Sequence, residues 1–160
     1  IKTVYSGLKA MTGGRLLAIE KYIDGDNFMV TYGDGLSDIN IDNLLKFHRS
    51  HDKVATITAV RPRARFGIMQ LDDEKVISFK EKQQTNSGWI NGGYFVFKKS
   101  IFKYLKDEKT VLEKEPLEKL ALEGELMAFK HKGFWQCMDN KRDKDYLQKL
   151  WDSGSYPWMS

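Results

Sequence analysis

A single cysteine, Cys137, stands among 160 residues. No disulfide can form within the chain, a reducing compartment such as the cytoplasm fits, and a cysteine-based zinc centre is excluded. Proline is scarce, at three residues. No Pro/Gly-rich linker, low-complexity tract or repeat divides the chain, so one domain over 1–160 is expected. No apolar run approaches the roughly 18 residues that a membrane span requires. The opening Ile1–Tyr5 carries neither a signal-peptide pattern nor a methionine, which suggests a fragment or a processed chain. Positive charge is present, at a net +4, but it is spread along the sequence. The densest stretch is Arg61-Pro62-Arg63-Ala64-Arg65. A nucleic-acid surface would need a basic face with interleaved aromatics. This stretch therefore reads first as a solvated surface, then as a site for a polyanionic small ligand, and last as a nucleic-acid contact.

What is present is an alternation of strand and helix patterns. Hydrophobic residues make up 41% of the chain, enough for a core. Thr12 opens a helix with Leu16, Ile19, Tyr22 and Ile23 along one face. Strands are predicted at Phe28–Tyr32, Val54–Val60, Val76–Lys80, Trp89–Phe97, Leu126–Phe129 and Phe134–Cys137. Val54–Val60 is a nearly continuous apolar run and reads as a strand buried on both faces. Helices are predicted over Asn40–Ser50, from Ser100 as a cap through Leu105, and from Pro116 through Leu122 with Gly124 ending it. A last helix, capped by Asp139 or Asn140, is closed by Gly154. Such alternation predicts an α/β fold with a mixed, mainly parallel Rossmann-like sheet and helices on both faces.

Six places concentrate chemistry-bearing residues. Gly33-Asp34-Gly35 ends the Phe28–Tyr32 strand with a carboxylate between glycines. It reads as a magnesium ligand for a nucleotide or as an ordinary turn. Phe134–Asp139 again sets a carboxylate at the end of an apolar run, so Asp34 and Asp139 could share one cation, because magnesium takes one or two carboxylates plus phosphate oxygens. Met11–Arg15 places Thr12, two glycines and Arg15 at a helix start. Unpaired N–H groups there favour an anion or a base edge, and Arg15 could grip a phosphate; a simple capped helix is the plain alternative. Asn91-Gly92-Gly93 could bind sugar hydroxyls or ribose, although a β-bulge explains the glycines equally well. Glu81 and Lys82 end a strand as adjacent acid and base. His48 and His51 could face one way on a helix, but no third metal ligand is evident, and a surface helix is the expectation.

Taken in order along the chain, Met11–Arg15, Thr31–Gly35, Arg65-Phe66-Gly67, Phe79–Lys82, Ile90–Tyr94, Gly124–Phe129 and Gly133–Asp139 resemble the sugar nucleotidyltransferases, and within them the glucose-1-phosphate cytidylyltransferase branch. The resemblance implies that Asp34 and Asp139 hold Mg2+. It implies nucleotide contacts at Arg15, Gly33 and the backbone at Ala10, next to Thr12. It places Glu81, Lys82 and Asn91, with Gly92 beside it, at the sugar phosphate. Gln83 stands where the family usually has proline. The family's opening glycine-rich loop, with its Gly-Thr-Arg end and the following Pro-Lys pair, does not occur here, so the chain looks like the C-terminal part of such a protein.

The activity implied is synthesis of CDP-glucose and pyrophosphate from CTP and glucose 1-phosphate, with no nucleic-acid or membrane partner, in a cytoplasmic homo-oligomer. These residues alone would be weakly active or inactive. A non-catalytic sugar-nucleotide-binding module, or a transferase using dTTP or UTP, are the alternatives.

Overall fold

A computed structural model describes residues 1–62, 68–80 and 88–159 of the chain. Two compact units are present, one made of 1–31, 41–57 and 94–129, the other of 32–40, 58–93 and 130–160. Twelve regular elements are described: α1 (Thr12–Ile19), β1 (Asn27–Thr31), β2 (Gly35–Ser37), α2 (Ile41–Arg49), β3 (Ala55–Val60), β4 (Ile68–Asp72), β5 (Lys75–Lys80), β6 (Ile90–Lys98), α3 (Glu115–Leu122), β7 (Leu126–Lys130), β8 (Trp135–Cys137) and α4 (Lys141–Asp152). The fold is α/β with a mixed, mainly parallel central sheet and helices, as the alternation predicts.

That sheet has the order β1-β6-β3-β7. Strand β6 runs against its neighbour β1, with Phe28 opposite Phe97 and Val30 opposite Phe95. Lys98 N donates to Val54 O at 2.8 Å while Gly92, at the other end of β6, approaches Val60, so β6 also runs against β3. Ala55 N donates to Glu125 O at 3.0 Å, and His131 N to Ala59 O at 2.9 Å; β7 therefore advances alongside β3 in the same direction. Three strands share one direction and β6 is the reversed member.

The first unit is held by apolar packing on this sheet. The buried apolar side chains of β6 are Phe95, Val96 and Phe97, joined by Leu44, Ile101, Leu112 and Leu120. The Phe28 ring stacks on Phe102 at 5.5 Å, and Phe95 on Phe97 at 5.3 Å. Strand β3 is buried along most of its length, as its run of β-branched residues requires. Pro116 sits in the first turn of α3, and Gly124, at φ +69°, follows it.

Three local expectations are corrected. Residues 99–104 form a 3-10 helix whose cap position is Lys98, and Ser100 makes no capping bond. Strands β2 and β4 were not anticipated; β4 pairs with β5 through a turn in which Asp73 takes φ 48°.

His48 is the third. It belongs to the core, 1% exposed, and not to a surface helix. The backbone N of Lys53 donates to His51 Nδ1, so the proton of His51 lies on Nε2, which faces Thr56 Oγ1 at 3.0 Å. The Thr56 hydroxyl in turn meets His48 Nδ1 at 2.8 Å, and His48 Nε2 meets Asn27 Oδ1 at 3.1 Å. Both rings are neutral in a chain satisfied at every link. Burial, and then the nearby His51, Lys98 and Arg49, push the His48 imidazole down to about 4.

Candidate active site

In the second unit, β2 and β8 form a short antiparallel ribbon with Gly35 opposite Cys137 and Ser37 opposite Trp135. The ladder extends one step further, because Met138 N donates to Asp34 O at 2.8 Å. Asp34 precedes β2 and Asp139 follows β8, so both lie at the same end of the ribbon, and both are exposed. Strand pairing thus sets the two strand-end aspartates singled out from sequence at the same end of the ribbon.

The neighbours of Asp139 decide what that end could hold. Ligand atoms of Cys137, Asp139 and Asp143 lie within 4.8 Å of one another. The Cys137 thiol donates to Asp139 Oδ2 at 3.2 Å. Burial, with the bond to Asp139 and the Asp139 and Asp143 charges, pushes that thiol up to about 11, and sulfur is a soft donor that suits Mg2+ poorly. Asp143 is buried and accepts from Asn140 Nδ2 at 2.7 Å, while the Asn140 side chain caps α4 by accepting from Asp143 N. This leaves the exposed carboxylates of Asp34 and Asp139 as hard oxygen donors, a set that fits Mg2+ completed by water and phosphate oxygens.

Beside the ribbon lies the start of β6. Trp135 Nε1 donates to Gly92 O at 2.8 Å, and a Cβ on Gly35 would meet both Trp135 Nε1 and Gly92 O just inside 4 Å. Trp135 therefore ties Asn91-Gly92 to the strand that follows Asp34. A Cβ on Gly92 would sit 2.7 Å from Val60 Cγ1, and Gly93 takes φ +76° with Tyr32 against it. Close strand packing accounts for Gly92, and the positive φ of Gly93 is one that glycine adopts without strain. The Asn91 carboxamide oxygen accepts from Gly93 N at 2.8 Å, which leaves its NH2 as the group able to donate to a hydroxyl. Around Gly33 a Cβ would meet nothing within 4 Å, so a ligand can approach the backbone there. Glu81 and Lys82, with Arg65-Phe66-Gly67, lie outside the described residues.

Ala10, Thr12 and Arg15 belong to the first unit. Here the structure corrects the picture of a helix start with open donors. Met11 N donates to Glu108 O at 2.9 Å, and Gly13 N and Gly14 N both donate to Thr110 O, at 2.9 and 3.2 Å. Thr12 does not cap α1; its hydroxyl donates to Glu113 Oε2 at 2.6 Å and accepts from Leu112 N at 2.9 Å. Ala10 is buried, and its N–H closes a turn to Gly7 O. Arg15 is exposed, with Nη1 3.0 Å from Ser6 Oγ.

The family model described as nucleotidyl transferase matches residues 10–147, most of the chain. The chain belongs to the nucleotidyl transferase family. Among its relatives is the glucose-1-phosphate cytidylyltransferase of Salmonella typhi, 45% identical over all of this chain and 63% of that protein. A second, 33% identical over 87% of this chain and 40% of its own length, is the mannose-1-phosphate guanylyltransferase catalytic subunit beta of Dictyostelium discoideum. The solved structure of HddC from Yersinia pseudotuberculosis is similar with a TM-score of 0.64 at 26% identity, covering 89% of this chain and 63% of that one. The chain thus spans 63% of the first relative's length.

Sequence reasoning missed two features of this nucleotidyl transferase chain. Trp135 was read only as part of an apolar run, although strand alternation separates it from Phe134 and aims it elsewhere. The other is a knot around His131. Its Nε2 lies 2.8 Å from Asp38 Oδ1, 3.2 Å from Phe134 O and 3.2 Å from Ser37 Oγ. Two of these partners only accept, so Nε2 carries hydrogen. Nothing in the local pattern around His131 signals Asp38, which is distant in sequence.

Proposed function

We propose that the chain is part of a glucose-1-phosphate cytidylyltransferase, acting on CTP and glucose 1-phosphate to give CDP-glucose and pyrophosphate. In the reaction, a phosphate oxygen of the sugar phosphate attacks the α-phosphorus of CTP, and the bond from that phosphorus to the pyrophosphate oxygen breaks. The observation that carries this reading is the convergence of Asp34 and Asp139 at one end of the β2–β8 ribbon. The cytidylyltransferase relative supports it. Asp34 and Asp139 would hold Mg2+, which when bound supplies positive charge against the phosphate oxygens. The open backbone at Gly33 lets the nucleotide lie close, and the Asn91 NH2 donates to a sugar hydroxyl. Trp135 is a positioning residue that fixes Gly92 against the ribbon. Catalysis by such a site is positioning and charge neutralisation, with no covalent intermediate on the protein.

No described helix is long and apolar enough to cross a membrane. A cytoplasmic homo-oligomer completes the reading, and these 160 residues alone are expected to show little or no transferase activity.

The test is calorimetric titration of CDP-glucose into the chain with and without Mg2+. Binding that requires Mg2+ and disappears in Asp34→Asn and Asp139→Asn, with unchanged thermal unfolding, is the expected result. Binding that persists in both variants would sink the assignment of the two carboxylates.

A further inference from the structure

The knot around His131 sits at the end of the β2–β8 ribbon opposite the two aspartates, in the same unit. Three residue pairs make a short ribbon, and two strands by themselves are marginal in water. A slip of one residue would turn every side chain of one strand to the other face and shift Asp139 against Asp34. The register therefore needs a constraint beyond the ladder. At the knot, Phe134 O accepts from Asp38 N at 3.2 Å and from Ser37 Oγ at 2.8 Å. The Nε2–H of His131 points into the same group and lies nearest to Asp38 Oδ1. The His131 backbone is held independently, by donation from its N to Ala59 O near the end of β3. Its side chain thus ties the last residues of β2 to a fixed point on β3. Gly133 leaves the room for this bond. A Cβ there would fall on Asp38 Oδ1 and lie 2.8 Å from both Asp38 Oδ2 and His131 Cε1.

In a slipped register, the His131 N–H would lose Asp38. The His131 side chain is only 11% exposed, so water replaces that partner poorly. We propose that His131 and Asp38 are positioning residues for the carboxylate pair: their bond clamps the register of the ribbon and so fixes Asp139 relative to Asp34 at the far end. What the two carboxylates hold rests on the preceding reading, whereas the clamp can be tested without any ligand. Ser37 and Gly133 complete it, one by a hydroxyl on the shared carbonyl and the other by the space it leaves.

The first measurement is amide hydrogen exchange by NMR on the full chain, without metal or nucleotide. Its reporter is the Met138 N–H, which bonds to Asp34 O at the aspartate end. His131→Phe keeps a ring and removes the donor. Met138 should then exchange at least tenfold faster, while the buried amides of β6 change less than twofold. Gly133→Ala should reproduce this effect without touching either polar group. His131→Gln keeps a side-chain N–H and should stay within about threefold of the parent. The second measurement is the Mg2+ concentration that gives half of the CDP-glucose binding. It should rise at least tenfold in His131→Phe, with Kd for CDP-glucose at saturating Mg2+ changed less than threefold. If the parent shows no Mg2+-dependent binding, the preceding reading falls and the exchange result alone decides the clamp. Unchanged Met138 exchange in both His131→Phe and Gly133→Ala would overturn the proposal. So would equal loss of protection across β6, which would make the knot a general stabiliser, or faster Met138 exchange with an unmoved Mg2+ midpoint.

Discussion

The start of α1 and the open end of the β2–β8 ribbon are both built from glycines beside polar groups, yet the two places handle those groups differently. At α1 the backbone donors of Met11, Gly13 and Gly14 are all taken by carbonyls of Glu108 and Thr110. The missing side chains of Gly13 and Gly14 let two backbones touch. At the ribbon end the Gly33 backbone is open and the Asp34 and Asp139 carboxylates face outward. A glycine pair at a helix start is an anion site only where its N–H groups have no other partner, so accounting for each donor separates a packing device from a binding device.

The largest expected effect breaks the α1 side of that contrast. A methyl group on Gly14 would fall within the Glu108 backbone, with no flexible side chain to yield. Gly14→Ala should cost about 3 kcal/mol or more, at the upper end of overpacking, read as a fall in the urea midpoint. A variant as stable as the parent would mean that the 108–110 loop moves freely from α1.

Acid should sharpen the contrast next, because the unit that contains α1 also buries His48. Its imidazole is depressed to about 4 in the fold against 6.5 unfolded. The unfolded chain therefore binds the proton first as pH falls, and stability present above about pH 6.5 drains away towards pH 4. The loss is bounded at about 3 kcal/mol, from the energy equivalent of each pKa unit. Urea midpoints between pH 7 and 4 measure it, and the His48 ring signals in NMR identify the group. A ring that titrates near 6.5 in the folded protein would defeat the assignment.

How far sequence reached follows the same division between local pattern and long-range pairing. Val54–Val60, Pro116, Gly124 and Asn140 were readable because periodicity and capping act within a few residues. The aspartate pair was readable because each ends an apolar run. Partners such as Thr110 for Gly14, Thr56 for His48 and Asp38 for His131 left no mark in the local pattern. These bonds are made by tertiary packing, and all but the Thr56 one span many tens of residues. They inverted the reading of Thr12 from helix cap to core tether, and that of His48 from surface to core.

A smaller effect tests that inversion directly. Thr12→Val keeps the volume but removes the bond to Glu113 and strands the Leu112 N–H. Leu112 is 1% exposed, so water cannot easily replace the lost partner. A loss of about 2 kcal/mol follows from leaving a buried donor unsatisfied, checked by thermal unfolding. A change below about 0.5 kcal/mol, the level of an ordinary surface site, would restore Thr12 to the role of a dispensable cap.

The smallest effect on stability belongs to the ribbon end. Gly33→Ala adds a methyl group where nothing lies within 4 Å, so unfolding should shift by no more than about 0.5 kcal/mol. The same methyl would stand between the backbone and anything lying against it. Magnesium-dependent affinity for CDP-glucose should therefore fall at least tenfold in a protein whose fold is unchanged. Unchanged affinity would move the nucleotide away from Gly33 while leaving the carboxylates in place. A fall in stability without a fall in affinity would make Gly33 a packing glycine, like those at the start of α1.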